Sequence, residues 1–370
     1  MILLYVHALA ATGVVRNARL IAAALRARGH EVRLLTALPG GEGVEGVEHR
    51  ALLPAAMPSR VAEKIRAIHA LRDYLKQGGA DLLISAGNHG HGTVWAASRG
   101  MKRPPRVYRI SNDLERGAPG TPGGRMAAMA RRLTARIVAA DAAHLVLVSP
   151  SLSGTGAFRA ASAAGRVEVI PNGIDAAAAR MRAAGPVPHL WLGGPVPVVL
   201  AIGRLAPQKN FETLLHGFAR LRARRPARLI LLGESRDRAR QRLIGQASAL
   251  GIAADVALPG VVDNVFPWLA GATAFILPSW WEGSANVLLE AMAVNIPCVA
   301  SRSAGNAPLL LDGGRHGLLV DPRDPAEMAD ALALQIDPAT AIRPGARIDA
   351  FTLDAMTDGW IALVERLTTR

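Results

Sequence analysis

A rhythm held from end to end most constrains this chain: short apolar runs alternate with segments of helical periodicity. Two parallel strands need a crossover between them, and the crossover helix covers the sheet face, so this alternation signals parallel sheets wrapped by helices. The spacing predicts strands at 2–6, 31–35, 81–85, 106–110, 144–148 and 167–170, then at 198–202, 228–232, 256–258, 274–277, 297–300 and 317–320. The two sets agree in number and spacing. A chain of 370 residues exceeds what one hydrophobic core ordinarily supports. The expectation is an α/β protein with two Rossmann-like lobes, their parallel sheets facing a central cleft.

The boundary is signalled at Pro171-Asn172-Gly173, where a strand ends at turn formers, and by the Pro- and Gly-rich stretch 185–197. The lobes are expected at 1–171 and 172–354. Apolar residues in 351–367 are spaced for a helix, so a tail at about 355–370 is expected to return to the first lobe. The start, Met1 to Val6, lacks a basic leader and reads as a strand rather than a signal peptide. No stretch approaches the ~20 apolar residues of a membrane span. Both points argue against a secreted two-lobed solute-binding protein. The single cysteine, Cys298, lies in an apolar run, cannot form an internal disulfide and fits a reducing, cytoplasmic home.

Charge is unevenly placed. Residues 1–171 hold 23 Lys and Arg against 11 Asp and Glu, a net of +12, while residues 172–370 hold 20 against 18, a net of +2. An anionic surface meeting the first half is implied, either membrane or nucleic acid. Aromatics make up only 4% of the chain, and it has no zinc-finger or RNA-recognition pattern, so nucleic acid is not expected. In 58–76, Val61, Ile65, Ile68, Leu71 and Leu75 mark one helical face, and Arg60, Lys64, Arg66, Arg72 and Lys76 lie elsewhere. The segment 125–136 repeats the idea, with Arg131 and Arg132 beside Met126, Met129 and Leu133. A basic amphipathic helix can lie on an anionic bilayer. The plainer reading is a core-facing helix with a solvated basic face. The expected place is the cytoplasm, peripheral on the inner face of the membrane, with the first lobe against it.

Two constellations carry chemistry. After the strand 198–202 comes Gly203-Arg204-Leu205-Ala206-Pro207-Gln208-Lys209-Asn210. Gly203 permits a sharp turn at the strand's carboxyl end, and the loop presents a guanidinium and an ammonium where ligands bind in open α/β sheets. Fixed cations there stabilise the charge that develops on a departing diphosphate. The second is the stretch from Pro278 to Ala293, where a strand ends, Glu282-Gly283 turns the chain and a helix starts near Ser284. That helix start offers backbone N–H groups to phosphate oxygens. Glu290, a turn or two in, can accept hydrogen bonds from both ribose hydroxyls, and Glu282 can grip hydroxyls of a sugar. An ordinary helix with an acidic first turn is the rival reading.

These motifs, in order, resemble those of the retaining GT-B glycosyltransferases of family 4: G-R-L-x-P-Q-K-N, then L-L-G-E at Leu231 to Glu234, E-x7-E with L-L-E-A-M-A, and G-L-L-V-D-P at Gly317 to Pro322. The segment Val169 to Asp175 is similar to that family's inter-lobe segment, and Gly29-His30-Glu31-Val32 to the end of its first helix. The resemblance covers nearly the whole chain and is strongest in the second half. It implies transfer of a sugar from a nucleotide-diphosphate donor, UDP-linked rather than GDP-linked, to a lipid-linked or glycan acceptor in cell-envelope glycolipid or polysaccharide synthesis. Arg204 and Lys209 would hold the diphosphate, Glu290 the ribose and Glu282 the transferred sugar. The amides of Ser284, Ala285, Asn286 and Val287 would surround the phosphates, with Gly203, Glu234 and Gly283 in the donor site and Gly13 letting backbone approach the donor across the cleft. No cofactor and no metal are implied, and no Asp-x-Asp pair occurs.

The family's usual first-lobe histidine is replaced here by Ser111-Asn112-Asp113. Asn112 is the candidate substitute, through its amide oxygen, and His89, His91 and Asn172 are further candidates near the cleft. His89 and His91 form a His-x-His pair, but no nearby carboxylate or Cys in sequence completes a metal site. The rivals are a nucleotide-sugar epimerase on the same scaffold and a degenerate subunit that binds nucleotide without transfer.

Overall fold

The computed structural model describes residues 1–10, 12–115, 124–235 and 238–369. The class is α/β with two all-parallel sheets, and contacts divide the chain into two compact units. One unit takes in the described residues up to Asn172 together with the C-terminal helix from Asp354, and the other runs Gly173–Leu353.

In the first unit the strands are β1 (Ile2–Val6), β2 (Val32–Thr36), β3 (Glu48–Ala51), β4 (Leu82–Ser85), β5 (Arg106–Ile110), β6 (His144–Leu147) and β7 (Val167–Val169), in the order β3-β2-β1-β4-β5-β6-β7. β1 is central, with Ile2 opposite both Val32 and Leu82, and all its residues are buried. Apolar runs without polar alternation suit strands covered on both faces. β3 is absent from the strands predicted by pattern. Its sequence, Glu-His-Arg-Ala, has no apolar run because it is an edge strand with exposed and half-buried residues only. The first helix, Gly13–Ala27, is capped by Thr12, whose Oγ1 accepts the Val15 N–H at 3.3 Å. The helices Arg60–Lys76, His91–Ser98 and Gly124–Asp141 send Ala67, Leu71, Val94, Ala97, Val138 and Ala139 into one shared core with Tyr5, Tyr108 and Leu145. The C-terminal helix Leu353–Thr368 buries Trp360 and pairs Glu365 with Arg28 at 3.1 Å and Arg366 with Glu168. Arg370, the end of the expected tail, lies outside the described residues.

In the second unit the strands are β8 (Val198–Ile202), β9 (Arg228–Leu232), β10 (Val256–Gly260), β11 (Ala274–Leu277), β12 (Cys298–Ser301) and β13 (Leu318–Val320), in the order β10-β9-β8-β11-β12-β13. Side chains alternate between two cores: Val198, Leu200 and Phe275 enter one, Val199, Ala201 and Ile276 the other. Cys298 is fully buried, and burial pushes its thiol pKa well up. Among the described residues no helix is long and apolar enough to cross a membrane.

Candidate active site

Two loops at the carboxyl ends of β8 and β9 come close because both begin with glycine. Gly233 has φ +148°, and a Cβ there would lie 1.9 Å from the Gly203 carbonyl oxygen. A Cβ on Gly203 would lie 2.8 Å from Lys209 Cε, so Lys209 folds back over a bare backbone. The Gly203 N–H donates to Leu232 O at 2.8 Å and the Leu205 N–H to Glu234 O at 2.7 Å, which seats Glu234 beside the loop carrying Arg204.

Lys209 then meets a residue far away in sequence. Its Nζ lies 2.6 Å from Glu282 Oε1, and the Ser279 hydroxyl donates to the same oxygen at 2.7 Å. The pair is largely enclosed, with side chains 16% and 11% exposed. Arg204, by contrast, is exposed and makes no ion pair among the described residues. Four further hydrogen bonds hold the loops together. Asn210, in the left-handed region at φ 57°, donates through Nδ2 to Pro278 O at 3.0 Å and Pro322 O at 2.7 Å. The Gln208 side chain donates to Trp281 O at 2.8 Å, and the Trp280 N–H donates to Gln208 O at 2.9 Å.

The helix expected near Ser284 runs Asn286–Ala293, and its N-cap residue, Ala285, makes no side-chain cap. One assigned amide is engaged elsewhere: the Ala285 N–H donates to the buried Asn306 Oδ1 at 2.8 Å. That interaction joins segments 21 residues apart, so the local pattern gives no hint of it. Ser284 Oγ donates to Asn286 Oδ1 at 3.0 Å, Gly283 is buried, Val287 is half-buried, and Glu290 sits half-buried at the fifth position of the helix.

In the first unit, Gly13 is the first residue of its helix and is exposed. Asn88, after β4, ties that loop to the one after β5: its Oδ1 accepts the Ser111 N–H and hydroxyl, each at 3.0 Å, and its Nδ2 donates to Asn112 O at 3.0 Å. The Asn112 amide oxygen accepts the Asp113 N–H at 2.9 Å, and a second lone pair remains for a ligand. Asn172 is buried and accepts from Arg109 at 2.6 Å, an arginine itself buried, whose pKa burial lowers to about 10. Of the two histidines, only His89 reaches solvent. His91 is 1% exposed, its Nδ1 lies 2.7 Å from Ser85 Oγ, and its ring meets Tyr108 edge to face at 5.3 Å.

Burial of His91, with the nearby Arg109 charge, holds its pKa down at about 3. In the unfolded chain the ring protonates near 6.5, so between those values the unfolded state binds more protons and stability falls as pH drops. At about 1.4 kcal/mol per pH unit, roughly 2 kcal/mol is lost by pH 5. The expected result is a smaller fall in Tm between pH 7 and 5 for His91→Gln than for the unaltered protein. Equal falls would exclude His91 as the source.

Pattern reading does not single out His7 and Glu63. His7 follows β1, its Nε2 lies 3.0 Å from Glu63 Oε1, and Glu63 Oε2 accepts the Met57 N–H at 3.1 Å. The Met57 N–H, followed by the His7 contact, holds the Glu63 carboxyl below its usual range. The only sequence signal is a polar residue directly after an apolar strand. Among the described residues no group of three or more His, Cys, Asp or Glu is arranged to hold a metal ion.

The two units match two family models, Glycosyltransferase Family 4 over residues 11–178 and Glycosyl transferases group 1 over residues 196–337. The chain belongs to this family of GT-B glycosyltransferases. It is 33% identical over 174 residues to the lipopolysaccharide core biosynthesis glycosyltransferase LpsE of Rhizobium meliloti, an alignment covering 45% of this chain and 49% of that protein. The chain thus spans about half the length of the curated relatives it matches. The fold is that of sucrose-phosphate synthase from Thermosynechococcus elongatus, with a TM-score of 0.82 and 22% identity over 100% of this chain and 99% of that one. It is also that of Anabaena HepE in complex with UDP-glucose, with a TM-score of 0.76 and 19% identity over 99% of each chain.

Proposed function

We propose that this protein transfers a sugar from a nucleotide-diphosphate donor, with retention of anomeric configuration, to a lipid-linked or glycan acceptor. The observation that carries this reading is the enclosed Lys209–Glu282–Ser279 contact beside the Gly203 and Gly233 turns. It unites a cation suited to a leaving diphosphate with a carboxylate suited to sugar hydroxyls. Lys209 and Arg204 stabilise the departing diphosphate, Glu282 orients the transferred sugar, and Glu290 takes the ribose. In a same-face substitution the bond from the anomeric carbon to the phosphate oxygen breaks as the bond to the acceptor oxygen forms. The departing phosphate oxygen takes the acceptor's proton, so no covalent nucleophile is needed. The UDP-glucose bound by HepE supports a UDP-sugar donor, and the name of LpsE supports an acceptor in cell-envelope glycolipid synthesis.

Asn112 and His89 are assigned to the acceptor, in the first unit. The net charge of +12 over residues 1–171 supports a peripheral position on the cytoplasmic face of the membrane. A donor screen with purified protein and membrane lipid extract, read as release of nucleoside diphosphate, tests the reading, and release from no donor would defeat it. Because the chain has no Asp-x-Asp pair, transfer is expected to survive excess EDTA. Loss of activity in chelator, restored by magnesium or manganese, would count against the proposed metal independence.

A further inference from the structure

Eleven large hydrophobic side chains are exposed among the described residues, and five of them lie toward the starts of two helices of the first unit. Met126, Met129 and Leu133 are 80%, 69% and 57% exposed on the helix Gly124–Asp141, and Val61 and Ile65 are 68% and 51% exposed on the helix Arg60–Lys76. Toward their ends the same helices enter the core, through Ala135, Val138 and Ala139 in one and Leu71, Tyr74 and Leu75 in the other. The amphipathic pattern therefore shifts along each helix: the large apolar side chains toward its start stay in solvent and those toward its end enter the core, although the small Ala67 is buried as well. A helix whose apolar residues only faced the core would not leave these five in solvent.

Both starts lie along one edge. In a parallel sheet with right-handed crossovers, helices run opposite to the strands, so helix starts gather at the strands' carboxyl ends. Both helices join the shared core on one face of this sheet. The same edge carries the loops with His7, Asn88 and Asn112. Basic groups flank the apolar side chains: Arg125, Arg132 and Arg136 are exposed on one helix and Arg60, Lys64 and Arg66 on the other. The first of these helices has no acidic residue before Asp141, and in the opening half of the second the only acid is Glu63, which is buried and tied to His7 and Met57.

We infer that these two helix starts insert their apolar side chains into an anionic phospholipid bilayer, holding the acceptor edge of the first unit at the headgroup layer. The inference rests on the lipid-linked acceptor proposed above and adds the residues that enter the lipid. Apolar area anchors, and the arginines and lysines meet headgroup phosphates. A second copy of this chain is a poor occupant, because a two-fold contact would set these cations against themselves. Purely electrostatic docking would vanish at high salt, where screening acts within a few ångströms. Apolar insertion leaves a salt-resistant part.

The test uses the whole chain with vesicles of phosphatidylcholine alone and of phosphatidylcholine mixed with phosphatidylglycerol, at low and high salt. Unaltered protein is expected to bind the mixed vesicles and to retain part of that binding at high salt. Replacing Met126, Met129 and Leu133 together by Ser is expected to weaken binding at least about tenfold and remove the salt-resistant part, with Tm unchanged. In a Met129→Trp variant, brominated lipid should quench the new indole. Wild-type affinity in the triple variant, no quenching, or a dimer that dissociates in the triple variant would each overturn the inference. Titration with UDP reports on the second unit separately. UDP binding without vesicle binding defeats the docking alone, and vesicle binding without UDP binding defeats the donor reading alone.

Discussion

Replacing Lys209 by Ala is expected to lower turnover by about a hundredfold or more, equivalent to about 2.7 kcal/mol of lost transition-state stabilisation. Arg204→Ala is expected to cost a similar factor, since each side chain supplies positive charge to the same departing diphosphate. The two variants should differ in what else they disturb. Arg204 is exposed and without an ion pair among the described residues, so its loss should leave Tm within experimental scatter. Lys209 is the enclosed partner of Glu282 at 2.6 Å, and its removal leaves that carboxylate with the Ser279 hydroxyl. Tm should therefore fall in Lys209→Ala, and Glu282→Gln added to it should cost far less than it does alone, because residues in contact do not act additively. Steady-state rates for the single and double variants, with calorimetry on each, make the comparison. Near-normal turnover in both single variants would rule out their assignment to the diphosphate.

Gly233→Ala is expected to destabilise the second unit by on the order of 3 kcal/mol and to weaken nucleotide binding at least about tenfold. Two costs coincide at this position. A backbone at φ +148° is one that side-chain-bearing residues rarely adopt, and the added Cβ would lie 1.9 Å from the Gly203 carbonyl oxygen. The loops after β8 and β9 must part to admit it. That movement breaks the hydrogen bond from the Leu205 N–H to Glu234 O and shifts the backbone over which Lys209 folds. Gly245→Ala is the control, since Gly245 lies within the helix Ala239–Ala249 with nothing near its missing Cβ. There the substitution should stabilise by up to about 1 kcal/mol, as Ala replaces Gly in a helix interior. Urea denaturation and UDP titration of both variants measure the contrast. Wild-type stability in Gly233→Ala would show that the close approach of the two turns is not required.

The α/β class and twelve of the thirteen strands were legible in the sequence, chiefly because a strand covered on both faces must be apolar along its length. β3 was not, because an edge strand with no fully buried residue needs no apolar run. The residue types suited to diphosphate and sugar were legible too, since Gly203, Arg204, Lys209, Glu282 and Glu290 follow strand ends in short motifs. Their partners were not. The meeting of Lys209 with Glu282 spans 73 residues, the contact of His7 with Glu63 spans 56, and that of Ala285 with Asn306 spans 21. Burial was equally hidden: His89 and His91 look alike in the sequence, yet one is exposed and the other is enclosed beside Ser85 and Tyr108. The apolar residues of the helix Arg60–Lys76 form one stripe in sequence, and only the fold separates Val61 and Ile65 in solvent from Leu71 and Leu75 in the core. By itself the sequence determined the elements and the chemistry they carry, because backbone periodicity and turn preference act over a few residues. Tertiary structure decided which groups meet and which faces stay open, because those depend on how distant segments share one core.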